Sequence, residues 1–233
     1  MAKRGRSNHM KRLAAPRVVP IHDKKAAKWV AKPRPGPHGA GDSVPLSVLL
    51  RDVLGLADTL FEVKKILNAR KVLVDGVART EPSFPVGLMD IISIPEARLY
   101  YSMTVSRGKL EPRKIEEKDT HHKLLRVVGK NTLPGGKTNI LFHDGRNAIA
   151  DQHVKVGDSV LFSLKDGKME KLLKRGIKSR CLIVSGKHSG KEARIEKLFE
   201  SGEGRAMEAL VKTSEGEVRT LADYLFITGE AND

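Results

Sequence analysis

The stretch that decides the fold is DTLFEVKKILNARKVLVDGV, residues Asp58–Val77, where helical spacing gives way to a short alternating run. Thr59 and Glu62 have the spacing of a capping box, in which each residue satisfies an amide at the start of a helix. The pair Asp75-Gly76 lies between Val72-Leu73-Val74 and Val77 and is typical of a two-residue hairpin turn. The sequence therefore predicts a helix followed by a tight β-hairpin.

The flanking residues extend this unit in both directions. Upstream, LSVLLRDVL (Leu46–Leu54) predicts a short helix with Pro45 in its first turn and Asp42 or Ser43 as its cap. Downstream, SFPVGLMDIISI (Ser83–Ile94) is expected to return as a strand. Residues 43–97 thus form a small helical and hairpin module.

Four cations lie together at the end of the second predicted helix and the start of the hairpin: Lys64, Lys65, Arg70 and Lys71. They lie opposite the apolar face formed by Leu60, Val63 and Leu67. Cations stabilise a helix C-terminus modestly, and the same cations can contact RNA. The residues alone leave both interpretations open.

Beyond residue 100 the pattern changes to short strands. Asp144-Gly145 and Asp166-Gly167 each separate two apolar runs, as expected for hairpin tips, and they are interpreted as turn residues and not as catalytic acids. Strands at such short spacing indicate one or two small barrels. The predicted fold class is α+β and strand-rich.

Charge indicates the type of partner. The 233 residues carry a formal net charge of +15, of which residues 1–42 contribute 11 Lys and Arg against two acids, and residues 98–175 contribute 17 against nine. A chain this basic is expected to bind a polyanion. No apolar run approaches the roughly 18 residues of a membrane span, and the start has no signal-peptide pattern, so a cytoplasmic chain is expected.

The first 42 residues form a basic arm. Alternate prolines in KPRPGPHGAG (Lys32–Gly41) exclude helix and strand there. Trp29, the only tryptophan, lies between Lys28 and Lys32, which suits stacking on a nucleic-acid base. The alternatives are a solvated disordered tail and an arm that folds against RNA, and the second is favoured. Deletion of residues 2–41 is expected to leave the folded domains intact.

The loop SGKHSGKE (Ser185–Glu192) resembles a nucleotide-binding loop only superficially. A Walker A loop needs a Ser or Thr hydroxyl for magnesium where this chain has Glu192. The remaining interpretation is a hairpin loop that turns at glycines and projects Lys187, His188 and Lys191 towards phosphate groups.

These segments together carry a family resemblance. IVSGKHSGKEARIEKL (Ile183–Leu198) resembles a KOW motif of SH3-like barrels, and Val44–Ile94 resembles an S4-type RNA-binding module. With the proline-rich arm and the segments GKTNILFHDGRNAI and VKVGDSVLFSL, the chain is similar to the S4e family of small-subunit ribosomal proteins, in its archaeal form.

The resemblance implies a structural constituent of the small ribosomal subunit that binds ribosomal RNA and contacts neighbouring ribosomal proteins, with no catalytic residue, cofactor, metal, membrane or small-molecule substrate. It also implies an arm over residues 1–42, an S4-like domain over 43–106, a central β-barrel-like domain over 107–175 and a KOW-type SH3-like barrel over 176–233. The candidate RNA-binding residues are Arg4, Arg6, Lys11, Arg12, Arg17, Trp29, Arg34, Lys64, Lys65, Arg70, Lys71, Lys187, His188 and Lys191.

Two other functional classes are weighed. S4-type modules are also joined to RNA-modifying enzymes, but only small-barrel patterns remain after residue 97, with no space for a catalytic domain. A KOW-type factor acting off the ribosome is disfavoured by the basic arm. His121-His122 is interpreted as a solvated pair instead of a metal site, and Cys181 as a small core residue.

Overall fold

The computed structural model describes residues 7, 9–21, 23–150, 153–199 and 206–230. These residues form two compact units. The first contains the described residues up to Met103 together with Lys109–Ile115, and the second contains Thr104–Gly108 and the described residues from Glu116 onward. Both units are rich in strands, which confirms the predicted α+β, strand-rich class. The domain boundaries predicted from sequence stay a prediction.

The first unit combines two short helices with a mixed set of small sheets. Its helices and strands in chain order are β1 (Met10–Lys11), β2 (Trp29–Val30), β3 (Val44–Pro45), α1 (Leu46–Val48), α2 (Leu60–Asn68), β4 (Leu73–Val74), β5 (Val77–Ala78), β6 (Pro85–Val86), β7 (Ile91–Ile94), β8 (Leu99–Ser106) and β9 (Lys109–Lys114). The last three residues of β8, residues 104–106, belong to the second unit. The strand order β5-β4-β7-β8-β9 gives one five-stranded sheet, and β1-β2 and β3-β6 form two-stranded sheets, all with antiparallel pairs where register is defined.

The first helix begins differently from the prediction. Neither Asp42 nor Ser43 caps it, because Pro45 is the N-cap residue and the Ser43 hydroxyl donates to the carbonyl of Gly39 instead. The first helical amides, those of Leu46 and Ser47, donate to carbonyls 38 and 35 residues away in the loop before β6. A side-chain cap is therefore unnecessary, since tertiary partners already satisfy these donors. The helix continues as a π-helical turn over Leu49–Val53.

The second helix follows the prediction closely. The Thr59 hydroxyl accepts from the Glu62 amide, and the Glu62 carboxylate accepts from the Thr59 amide, which completes the capping box. Val63 and Leu67 are fully buried, whereas Leu60 is 42% exposed because it lies in the first turn, outside the core. The buried pair anchors the helix and leaves its other face in solvent.

The predicted hairpin is also present. Its two central residues, Asp75 and Gly76, have φ values of 52° and 77°, as a type I′ turn requires. β4 pairs with β5 on one side and with β7 on the other, so the hairpin is an integral part of the five-stranded sheet. The hairpin therefore fixes where α2 ends relative to that sheet.

The basic arm is packed on the module, which corrects the expectation that its deletion leaves the domains intact. The buried side chains of the arm include the aliphatic residues Ala15, Val19, Ile21 and Val30. The Leu110 amide in β9 donates to the carbonyl of Val18, so backbone hydrogen bonding also joins arm and sheet. As predicted, the proline-rich stretch 32–41 contains neither helix nor strand.

The proline-rich stretch contains one side of a buried hydrogen bond. His38 Nε2 lies 3.0 Å from Asp90 Oδ1, and both side chains are at least 95% buried. A side-chain carbon added at Gly87 would lie only 2.3 Å from the His38 ring, so this glycine creates the space that the ring occupies. Removal of the arm would leave a buried carboxylate without its imidazole partner, which is costly.

The second unit contains two five-stranded antiparallel sheets. Its strands are β10 (His122–Thr132), β11 (Thr138–Phe142), β12 (Asn147–Ala150), β13 (Ser159–Ser163), β14 (Met169–Leu173), β15 (Arg180–Ile183), β16 (Glu192–Phe199), β17 (Glu208–Thr213), β18 (Gly216–Leu221) and β19 (Leu225–Gly229). The strand orders are β12-β11-β10-β13-β14 and β18-β17-β16-β15-β19. The second sheet is curled, in agreement with the expected SH3-like C-terminal barrel.

Each of these two sheets encloses its own aliphatic core. Phe142 and Phe162 meet edge-to-face in the first, and Ile183, Val211 and Ile227 are among the fully buried residues of the second. Cys181 is buried in the second core, as predicted, and burial raises the pKa of its thiol to about 12. Among the described residues, the second core contains no aromatic residue, and Phe142 and Phe162 are the aromatic residues of the first.

Both predicted Asp-Gly tips connect their strands, but the turn does not explain Asp144 completely. Asp144 is buried and lies 3.2 Å from the ammonium of Lys123, which is also fully buried in β10. Its other carboxylate oxygen accepts from the Arg146 amide. Asp144 is therefore both a turn residue and one half of a buried ion pair.

Candidate RNA-binding surface

The α2 cations, defined as Lys64, Lys65, Arg70 and Lys71, are all exposed. The helix buries Val63 on its opposite face, so the charges lie where the sequence predicted. Two of the cations lie in the second half of α2 and two lie between α2 and the hairpin, so the four form a compact basic surface.

Arg70 occupies an unusual backbone conformation at the end of α2. Its φ is 56°, in the left-handed region, and its amide donates to the carbonyl of Leu67 while the Lys71 amide donates to Ile66. These two hydrogen bonds define a Schellman motif, in which glycine is the usual residue at the left-handed position. An arginine there costs roughly 1 kcal/mol of backbone strain. Its guanidinium makes no hydrogen bond or ion pair with the described residues.

Two of the other α2 cations have neighbours on the surface. The Lys65 ammonium lies 4.7 Å from the centre of the Phe61 ring, and that ring is 67% exposed. The Lys71 ammonium lies 2.6 Å from the carboxylate of Glu96. Both contacts are solvent-exposed and weak enough to be exchanged for RNA.

Glu62 lies among these cations but has a different role. The amides of Asp58 and Thr59 donate to its carboxylate, and these hydrogen bonds lower its pKa. The carboxylate is thus engaged at the N-terminus of α2, and this agrees with leaving Glu62 out of the candidate contacts.

The arm presents an aromatic and cationic group around Trp29. The indole is 51% exposed, the Lys28 ammonium lies 5.3 Å from its centre, and the His9 ring lies 5.7 Å away at a tilted angle. Such a half-exposed ring, held by neighbours on one side, can stack a base on the other. The strand pair β1–β2 fixes the position of the indole, because Lys11 pairs with Trp29 in register.

The other predicted arm residues differ in their surroundings. Lys11 and Arg17 are exposed, Arg12 donates from Nε to the carbonyl of Asp23 at 2.7 Å, and Arg34 forms an exposed pair with Glu81 at 2.9 Å. Arg4 and Arg6 lie outside the described residues. Among the described residues, Lys11 and Arg17 form no salt bridge within the chain, so both side chains are available to bind RNA.

The KOW-like loop, residues 185–191, belongs to the second unit and links β15 to β16. It turns at Gly186 and Gly190, each with φ of 91°. Lys187 is exposed and His188 is half-buried, while the Lys191 ammonium is bound to the carboxylate of Glu215. That hydrogen bond lowers the pKa of Glu215. Lys187 is therefore the most available cation of the loop.

The backbone of the KOW-like loop is also available to an anion. Among the described residues, no acceptor is bound by the amides of Ser185, Gly186, Lys187 and His188, whereas the amides that follow donate to carbonyls of the same loop or of β15. Consecutive unbonded amides next to a glycine in a left-handed conformation can bind a phosphate oxygen. The loop thus combines amides and a cation without nucleotide-binding chemistry.

Sequence reasoning missed the acids that engage some of these cations. Glu81, Glu96 and Glu215 lie 24 to 47 residues from their basic partners, so no local pattern indicates them. His122 likewise pairs with Glu170 at 2.9 Å across β10 and β14. Within the described part of the chain, no cluster of three metal-ligating side chains occurs. None of the described helices is long and apolar enough to cross a bilayer.

Comparison with known families identifies matches to three successive segments. The model described as "RS4NT (NUC023) domain" matches residues 4–40, the "S4 domain" matches residues 44–92, and "Ribosomal family S4e" matches residues 98–169. The α2 cations all lie within the segment that matches the S4 domain.

Similar proteins cover almost the whole chain. The small ribosomal subunit protein eS4 of Methanosphaera stadtmanae is 40% identical over 99% of this chain and 95% of its own length, and that of Methanothermobacter thermautotrophicus is 37% identical over 99% and 96%. The crystal structure of the 30S ribosomal protein S4e from Thermoplasma acidophilum matches with a TM-score of 0.71 and 33% identity, over 82% of this chain and 96% of that one.

Proposed function

The chain belongs to ribosomal family S4e, and on that premise we propose that it holds ribosomal RNA in the small subunit through its arm, its α2 cations and its KOW-like loop. The family is structural, so the chain is a ribosomal protein and not an enzyme. Its partners are then small-subunit ribosomal RNA and neighbouring ribosomal proteins, and its location is the cytoplasmic ribosome.

The observation that carries this proposal is the α2 group. The segment that matches the S4 domain has four exposed cations between residues 64 and 71. One of them, Arg70, has a strained backbone, and its guanidinium has no partner among the described residues. Strain retained at an exposed cation has a physical reason if the guanidinium binds something outside the chain. RNA phosphate supplies that partner, since cations that neutralise phosphates release bound counterions and gain affinity.

The three surfaces offer different chemistry to RNA. The α2 cations and Lys187 provide charge for phosphate, the amides of the KOW-like loop provide hydrogen-bond donors, and Trp29 provides a ring for an unpaired base. None of these features reads base edges in a duplex. Binding should therefore depend on the shape and backbone of the RNA more than on its sequence.

The proposal is tested by removing three α2 cations together, Lys64→Ala, Lys65→Ala and Arg70→Ala, in the full chain. A matched control removes three exposed cations of the second unit, Lys165, Lys168 and Lys174, so that both variants lose the same charge. Affinity for transcribed archaeal small-subunit ribosomal RNA is measured between 50 and 200 mM salt.

We expect the α2 variant to lose about 2 to 3 units of the slope of log affinity against log salt, at roughly 0.7 to 0.9 for each of three phosphate contacts, and the control to keep the slope. Its unfolding curve should stay close to that of the original chain, because the three side chains are exposed. Equal binding by the α2 variant and the original chain would refute the proposed role of α2.

A further inference from the structure

The KOW-like loop packs directly on the turn between β8 and β9. A side-chain carbon added at Gly190 would lie 2.9 Å from Ser106 Cα and from the Val105 carbonyl oxygen, and 3.0 Å from the Arg107 amide nitrogen. Side-chain carbons do not approach backbone atoms this closely, so glycine at this position allows the two turns to touch. Loop and turn therefore lie side by side within the second unit.

Each of these turns exposes a cation at its tip. Lys187 is exposed in the loop, and Arg107 is exposed in the β8–β9 turn. Arg107 has a φ of 49° and is followed by Gly108 at 77°, which is the geometry of a type I′ turn, where asparagine, aspartate or glycine is preferred. An arginine in this position carries the same strain of roughly 1 kcal/mol as Arg70.

Nothing in the described part of the chain engages the Arg107 guanidinium, which makes no hydrogen bond or ion pair there. The acid beside the loop, Glu215, is already bound by Lys191. Arg107 and Lys187 therefore leave net positive charge next to the unbonded amides of the loop. A strained, exposed cation beside free backbone donors is the arrangement expected of an anion-binding surface.

We propose that the β8–β9 turn and the KOW-like loop form one composite surface for RNA phosphates, with Arg107 and Lys187 on the same segment of RNA. This inference rests on the proposed function and adds to it a binding residue outside the KOW-like sequence. A protein partner fits less well, because neither turn exposes a large apolar side chain among the described residues, and protein interfaces depend on such anchors.

The surface is tested with a chemical probe that is attached to the protein and cuts nearby RNA. A cysteine is introduced by Arg107→Cys, Lys187→Cys, Lys64→Cys or Lys197→Cys, and an iron chelate is attached to it to generate hydroxyl radicals. Native Cys181 does not interfere, since it is buried and burial raises the pKa of its thiol to about 12. Each full-length protein is bound to archaeal small-subunit ribosomal RNA, and the cut nucleotides are mapped.

The proposal predicts that positions 107 and 187 cut overlapping nucleotides and that position 197, an exposed residue of β16, does not share them. Absence of cuts from position 107, or cuts in a separate segment from those of position 187, would overturn it. If position 64 still cuts in that case, the proposed function stands and only the composite surface fails. No cleavage from any position would overturn both.

A second measurement separates binding by Arg107 from mere proximity. Arg107→Gly removes the guanidinium and also the backbone strain, so the fold is preserved, and Lys197→Gln is the charge-matched control. The glycine variant should lose about 0.7 to 0.9 of the salt slope, while the control keeps it. An unchanged slope for Arg107→Gly would show that this arginine does not contact phosphate and would overturn its assigned role.

Discussion

Arg70 offers a substitution whose effects on stability and on binding should have opposite signs. Arg70→Gly removes the left-handed strain of a residue with φ of 56°, and Arg70→Ala removes the same guanidinium but keeps the strain. A side chain in this region costs roughly 1–2 kcal/mol, and glycine gives back about 0.4–1 kcal/mol through the entropy of the unfolded chain. The glycine variant should therefore be more stable than the alanine variant by about 0.5–1 kcal/mol.

Binding should not distinguish these two variants. Each loses one phosphate contact, so each should reduce the slope of log affinity against log salt by about 0.7 to 0.9. Arg70→Gly would then be a variant at least as stable as the original chain that binds RNA less tightly. Such a result would show that the arginine is kept for binding at the expense of the helix terminus.

The assay combines urea unfolding of the three proteins with RNA titrations at several salt concentrations. Affinity of Arg70→Gly equal to that of the original chain would refute the contact. Equal stability of the glycine and alanine variants would refute the reasoning from backbone strain. The two parts of the argument can thus fail separately.

Three further outcomes concern the stability of the folded chain. His38→Ala should destabilise the first unit by about 1–3 kcal/mol in urea unfolding, because buried Asp90 loses a partner, and a loss below a few tenths would contradict this role. Gly190→Ala should destabilise the second unit by about 1–3 kcal/mol, because the added side-chain carbon would collide with backbone atoms. Gly135→Ala is the control, since Gly135 also has a positive φ but has open space around it, and it should cost less. Equal losses of stability would refute the packing argument. The pKa of Glu62 is lowered in the folded state, so its contribution to stability is present above the unfolded pKa of about 4.5 and is lost as pH falls through the folded pKa. Glu62→Gln should therefore reduce the loss of stability in acid, measured by unfolding between pH 7 and 3. An unchanged pH profile would contradict the capping role.

Features that depend on residues close in sequence were predictable. The capping box of α2 spans Thr59 to Glu62, and the hairpin turn needs only Asp75 and Gly76, so each is determined by local hydrogen bonds and backbone preference. Helical spacing likewise places Lys64 and Lys65 away from the face that buries Val63 and Leu67, whereas Arg70 and Lys71 follow the end of α2. These elements also carry the family resemblance.

Features that depend on distant partners were not predictable from one sequence. His38 meets Asp90 52 residues away, and the amide of Leu46 finds its acceptor in the loop before β6, so neither the docked arm nor the missing helix cap has a local signal. The contact of Gly190 with Ser106 joins turns more than 80 residues apart. Left-handed Arg70 was missed for another reason, because the sequence has no glycine where the Schellman motif usually places one.

The most direct test of a small-subunit role is sedimentation of a native lysate on sucrose gradients at low and high salt, with detection of this chain. Phosphate contacts weaken as salt rises, but a chain assembled into the particle is also held by contacts that release no counterions, such as base stacking. We expect the chain to travel with the small subunit and to stay there at high salt. A chain that runs near the top of the gradient, or leaves the particle at moderate salt, would contradict the account and indicate a factor that acts off the ribosome.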